Sequence, residues 1–123
     1  MITGHVTAGL EARISLLVED NTGLTHPIDA TVDTGFSGYL SMPSTLIATL
    51  GFPWLCEQQL MLADGSVVLL NVYSAVVIWD GQPRSIRVNA IDSDVLVGMR
   101  LLAGNELRIR VVDGGLVQID ALP

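Results

Sequence analysis

The sequence predicts an all-β protein: an antiparallel sheet or closed barrel with two short helices set into it. Three observations lead there. Turn-forming groups recur at short intervals, among them Asn21-Thr22-Gly23, Asp64-Gly65, Asp80-Gly81 and Asp113-Gly114-Gly115. Asp-Gly between apolar runs is a strong hairpin signal, because both residues tolerate positive φ. Between these turns lie apolar runs of strand length. The core must also be aliphatic: half of the 123 residues are hydrophobic but only 5% are aromatic, and Leu, Val and Ile (18, 14 and 9) fill a third of the chain. Val and Ile are stiff at χ1 and suit pleated strands. A chain of this length suits one domain, residues 1–123, around one core.

Taken in order, strands are expected at Ala12–Val18 and Thr25–Val32, around the first turn, and at Gln59–Leu62 and Val67–Trp79, around Asp64-Gly65. Ser85–Ile91 follows Asp80-Gly81, and Leu107–Val112 and Leu116–Ile119 flank the last turn. The first helix is expected in "MPSTLIATLGF". Pro43 and Ser44 mark its entry and Gly51 its exit, with Leu46, Ile47 and Leu50 on one face. A second, shorter helix is expected at Met99–Ala103, stopped by Gly104. "IDATVDTG" and "DVLVGMRLL" form a weak internal echo, each an apolar run ending in a glycine with a helix after it.

Charge narrows the function. The net charge is -7 and all six basic residues are Arg. Such a surface repels phosphate backbones, so no nucleic-acid partner is expected. No apolar run approaches the roughly 20 residues that span a bilayer, so no membrane partner is expected either. The start "MITGHVTAG" lacks the basic-then-apolar pattern of a secretory leader, and a cytoplasmic location is expected. Cys56 is the single cysteine and has no Cys or His neighbour; it reads as a structural thiol. His5 and His26 match no metal-ligand spacing, and Asp92 with Asp94 gives two ligands where a hard cation needs more, so no metal is expected.

The segment with chemistry in it is Ala30–Gly38, "ATVDTGFSG". A carboxylate, Asp33, closes an apolar strand and is followed by a small hydroxyl, Thr34, and by Gly35. Two readings fit: an ordinary Asp turn, and a catalytic carboxylate held in direction by the strand before it.

Asp33-Thr34-Gly35 behind Ala30-Thr31-Val32 resembles the catalytic motif of aspartic proteases. The hairpin "LADGSVVL" stands where that family carries its flap. "VLVGMRLL" resembles the element, built round Gly98, that supports the active-site loop from below. Length and a single Asp-Thr-Gly are similar to the retropepsin-like (retroviral-type) branch, and "VDTGFSGYLSMP" to its bacterial clan AA members.

The resemblance implies a closed antiparallel barrel of the retropepsin-like fold and an aspartic endopeptidase without a cofactor. Two Asp33 carboxylates, one from each chain of a homodimer, would activate water, because the chain has only one Asp-Thr-Gly. The substrate would be an extended peptide or protein segment. Thr34 would brace the loop and reach across to its twin, and Gly35 would let the backbone bend. Subsite and flap candidates are Phe36, Ser37, Met61, Leu62, Ala63, Asp64, Gly65 and Ser66, although residues 61–66 read equally well as a plain hairpin. Phe36 stands where a small or hydroxyl residue is commoner, which shifts the expected pH optimum to the mildly acidic side. The apolar termini would pair as strands in the dimer. Arg100 reads either as an ion-pair partner near the loop or as a solvated helix residue. The alternative function is a non-catalytic dimerisation or peptide-binding module with the same fold.

Overall fold

The computed structural model describes all residues, Met1 to Pro123. Ten strands form one sheet: β1 (Ile2–Val6), β2 (Ala12–Glu19), β3 (Thr25–Val32), β4 (Leu40–Met42), β5 (Trp54–Met61), β6 (Val67–Trp79), β7 (Gln82–Ala90), β8 (Leu96–Val97), β9 (Asn105–Ile109) and β10 (Leu116–Ala121). Two helices interrupt them, α1 (Ser44–Leu50) and α2 (Met99–Leu102). The strand order is β5-β6-β7-β4-β8-β3-β2-β1-β10-β9. Leu17 and Val18 of β2 also pair with Ile78 and Val77 of β6, which brings the sheet back on itself.

The sheet is mixed, where the sequence pointed to a wholly antiparallel one. β3 pairs with β8 in parallel, and so does β4 with β7. The two parallel contacts involve strands of two and three residues, too short to leave a pattern. The two echoing segments lie side by side in one of them, Thr31 opposite Leu96 and Val32 opposite Val97.

Alternation explains the core. In β2, Ile14, Leu16 and Val18 are buried while Ser15 and Leu17 face out. They join Leu40, Met42, Val77, Val88, Val97 and Leu101 in one apolar cluster. α1 closes that cluster with Ile47 and Leu50, and it stops at Gly51, whose φ of 70° puts it in the left-handed region. β6 is 13 residues long and serves two ends. Its second half carries buried Val72, Ala75, Val77 and Trp79, whereas its first half projects beyond the core as a hairpin with β5. No helix is long and apolar enough to cross a membrane.

β1 pairs with β10 inside the chain, and each has a second partner, β2 and β9 respectively. The free edges of the sheet are therefore β5 and β9. Asp20 organises the β2–β3 turn. Its Oδ1 accepts the Thr22 hydroxyl at 2.6 Å and the N–H groups of Thr22 and Leu24 at 2.8 and 3.1 Å. Its Oδ2 lies 2.7 Å from His26 Nε2.

Two predictions follow from these contacts. Leu40 is fully buried, so Leu40→Ala should cost about 2–5 kcal/mol, read as a lower urea midpoint. The Thr22 hydroxyl, followed by His26, holds the Asp20 carboxyl well below its ordinary 3.8. A lowered folded-state pKa contributes stability that is present above pH 3.8 and lost as pH falls below it. Asp20→Asn should therefore be less stable than wild type at neutral pH, and the gap should close on acidification. A gap that stays constant from pH 7 to pH 2 contradicts this.

Candidate active site

The sheet order determines how the Asp33 loop is built. β3 and β4 are joined by Asp33–Tyr39, yet they are not neighbours: β8 lies between them, parallel to β3 and antiparallel to β4. The loop must therefore arch over the end of β8. Three amides from that end hold it up. Gly98 N–H donates to the Tyr39 carbonyl at 3.0 Å, Met99 N–H to Phe36 at 2.8 Å and Arg100 N–H to Gly38 at 3.2 Å.

The arch passes so close that position 98 has no room for a side chain. A Cβ there would fall on the Gly38 carbonyl oxygen and lie 2.6 Å from Phe36 Cδ2. Gly38 is a glycine for a related reason, since its Cβ would lie 2.5 Å from Phe36 Cζ. The Phe36 ring thus rests between two glycines. This is how the loop accommodates an aromatic residue after Gly35.

Asp33 is fixed at both ends of its residue. Its N–H donates to the Val97 carbonyl at 2.9 Å, continuing the β3–β8 ladder, and its Oδ1 accepts the Gly35 N–H at 2.9 Å. The backbone turns at Thr34 and Gly35, with the Phe36 N–H donating to the Asp33 carbonyl at 3.1 Å, and Gly35 makes that turn without a positive φ. What suits a glycine is proximity: a Cβ would sit 3.2 Å from Asp33 Oδ1. Thr34 is exposed and its hydroxyl makes no hydrogen bond within the chain.

Asp33 opens onto a cavity of about 750 Å³. Gly35, Phe36, Ser37 and Gly38 line it from the loop, and Gln58, Leu60 and Leu70 from the β5–β6 hairpin. Arg87, Asn89 and Ile91 line it from β7, next to β6, and just past its end. Asp33 is the single carboxylate on that lining. Arg100 also reaches it; the residue is exposed, and its Nη1 donates to the Ser37 carbonyl at 3.5 Å, so it is not part of an ion pair.

Of the residues singled out from sequence, Asp33, Gly35, Phe36 and Ser37 come together on the cavity wall. Thr34 lies beside it, and Gly98 underneath the loop. Met61, Leu62, Ala63, Asp64, Gly65 and Ser66 form the hairpin tip and do not line the cavity. There the Ser66 hydroxyl and N–H donate to Asp64 Oδ1 at 2.6 and 2.9 Å, which lowers the Asp64 carboxyl from its ordinary value. The hairpin surface is apolar, with Leu60, Met61, Leu62, Val67 and Leu69 exposed. Asp92 and Asp94 lie in a bend, where Asp92 Oδ1 accepts the Ser44 N–H at 3.2 Å. No three His, Cys, Asp or Glu side chains converge as a metal site.

The sequence reading missed Gln58, Leu60, Leu70, Arg87, Asn89, Ile91 and Leu96, all on the cavity lining. The available signal was alternation: Arg87, Asn89 and Ile91 recur every second residue along and just past β7.

No protein-family model matches the chain, and no curated protein matches it in sequence. A solved structure does match. The crystal structure of a retropepsin-like aspartic protease from Rickettsia conorii superposes with a TM-score of 0.63 at 20% sequence identity, over 99% of this chain and 91% of that one. The chain has a retropepsin-like fold. The loop geometry makes one residue easy to test. Gly98→Ala forces a methyl group against backbone that cannot rotate away. It should cost at least about 1–3 kcal/mol in urea unfolding. It should also speed hydrogen exchange at the Met99 and Arg100 amides, which hold the loop. Unchanged exchange at those amides would show that the arch does not depend on Gly98.

Proposed function

We infer that the chain is an aspartic endopeptidase that works as a two-fold homodimer without a cofactor. One observation carries this reading: a single carboxylate, Asp33, is fixed in direction on the wall of a cavity large enough for several side chains. Peptide hydrolysis by carboxylates needs two, one ionised and one protonated, facing each other across a water. One chain supplies half of that pair. Asp33 of a second copy supplies the other half across a two-fold axis. The exposed Thr34 and Gly35 beside Asp33 support this, because a second loop could approach there.

The chemistry follows from the pair. Two carboxylates this close resist double ionisation and share a proton, as is well known for aspartic proteases. The ionised carboxylate takes a proton from water as its oxygen attacks the peptide carbonyl carbon. The protonated carboxyl gives its proton to the carbonyl oxygen as charge develops there. Collapse of the tetrahedral adduct returns a proton to the leaving amine and breaks the C–N bond. The apolar β5–β6 hairpin is the flap of this reading. It covers an extended peptide, which pairs with backbone as a further strand.

Asp33→Asn should leave the fold intact and reduce peptidase activity by roughly 10³-fold or more. Mixed dimers with one wild-type chain should be as inactive, because the water then lacks a paired acid and base. Wild-type activity should fall at high pH as the shared proton leaves, and fall on dilution below the dimer dissociation constant. Statine-type peptides should inhibit it, whereas chelators and thiol alkylation should not. Activity that survives in purified Asp33→Asn would falsify the mechanism. A dimer confirmed by sedimentation that cleaves no peptide at any pH would favour the peptide-binding module instead.

A further inference from the structure

Two of the six arginines, Arg87 and Arg100, line the cavity that holds Asp33. In a chain of net charge -7 this is a local reversal of sign. The two are not equivalent. Arg100 has a use within the fold, donating to the Ser37 carbonyl at 3.5 Å. Arg84, also on β7, is engaged as well: it donates to the Leu101 carbonyl at 3.2 Å and stacks 5.7 Å over the Tyr39 ring. Arg87 has no such role. The arginine hydrogen bonds and ion pairs of the molecule belong to Arg84, Arg100 and Arg108.

A solvated strand arginine would also lack partners, so its surroundings decide. Arg87 and Asn89 share one face of β7, and both line the cavity. Gln58 lines the same cavity from β5, across β6 from them. A planar guanidinium with a carboxamide next to it on the same strand face is rich in N–H donors, and its fork matches a carboxylate. Asp33 is the one carboxylate on the lining, and it makes no ion pair with Arg87. Leu60, Leu70 and Ile91 add an apolar stretch that suits the methylenes of a longer acidic side chain.

Resting on the endopeptidase reading, we propose that Arg87, with Asn89 beside it on β7, forms a subsite for an acidic side chain of the substrate near the scissile bond. Arg100 adds to the positive field without being the main ligand. The chain as a whole repels acidic peptides, and this patch selects those that place a carboxylate in the cavity.

The test uses decapeptides with a central Leu-Leu pair and with Glu, Gln or Arg walked through the flanking positions. Binding is read by fluorescence anisotropy on full-length Asp33→Asn, and cleavage on wild type. At one position Glu should exceed Gln by about tenfold in affinity and in kcat/KM, mainly through KM. Arg87→Gln should bring the Glu-to-Gln ratio close to one, and Arg87→Glu should make the Arg peptide the preferred one at that position. Melting curves check that both variants fold. A ratio near one at every position in the unsubstituted protein overturns the subsite, as does a ratio that survives Arg87→Gln. Cleavage without acidic preference overturns the subsite alone. Glu-selective, Arg87-dependent binding without cleavage overturns the peptidase reading and keeps the subsite. No binding and no cleavage overturn both.

Discussion

The constraint on which the rest depends is the insertion of β8 between β3 and β4. Strands that follow each other usually pair. Here the third comes from more than fifty residues further on and separates them. The connection from β3 to β4 then has no choice but to cross the end of β8. Crossing at backbone contact distance demands a glycine, and Gly98 is that residue. The same crossing turns three amides of residues 98–100 towards the loop carbonyls. The direction of the Asp33 carboxylate is thus set by the topology of the sheet and not by the local turn alone. Removing the crossing would leave an Asp turn on a strand end, which is the plain reading of the same residues.

How legible this was depended on sequence distance. Long strands with one buried face, such as β2 and β6, show their period directly. β8 and β4 do not, because two or three residues cannot show a period. β5 begins at Trp54, five residues before its expected start, because Glu57 and Gln58 interrupt its apolar pattern. Those residues are tolerated because the strand stands outside the core. β9 ends at Ile109 and not at Val112, since Val111 and Val112 are exposed in the turn, where apolar character carries no packing. The Asp33 loop was legible because its residues are contiguous. The β7 part of the lining was not: Arg87 and Asn89 reach the cavity only through the β4–β7 and β6–β7 pairings. Nothing near Asp33 in sequence announces them.

Position 36 joins the two levels. An aromatic residue after Asp-Thr-Gly reads as a departure that should crowd the site. In the fold its ring lies over Gly38 and Gly98, so two absent side chains make its space. Phe36 and the two glycines therefore form one packing unit, and a change at any of them has to be judged with the others. The ring also lines the cavity, so packing under the loop and shape above it are coupled through a single side chain.

On the homodimer reading, the strand pairings also limit where a second chain could bring its own Asp33. β1 and β10 are paired on both sides, so joining a partner through the terminal strands would first require breaking a ladder within the chain. The free edges, β5 and β9, remain open to pairing. An axis along β5 would run through the hairpin whose Gln58, Leu60 and Leu70 line the cavity. For two Asp33 carboxylates to meet across a water, the axis must instead run beside the exposed Thr34 and Gly35. Met99, next to the glycine that carries the arch, is half exposed on the helix that supports this loop. On the homodimer reading, contact between two such surfaces would bury Met99 beside the loop. The element that stiffens the loop within one chain is then the one best placed to align it against a second.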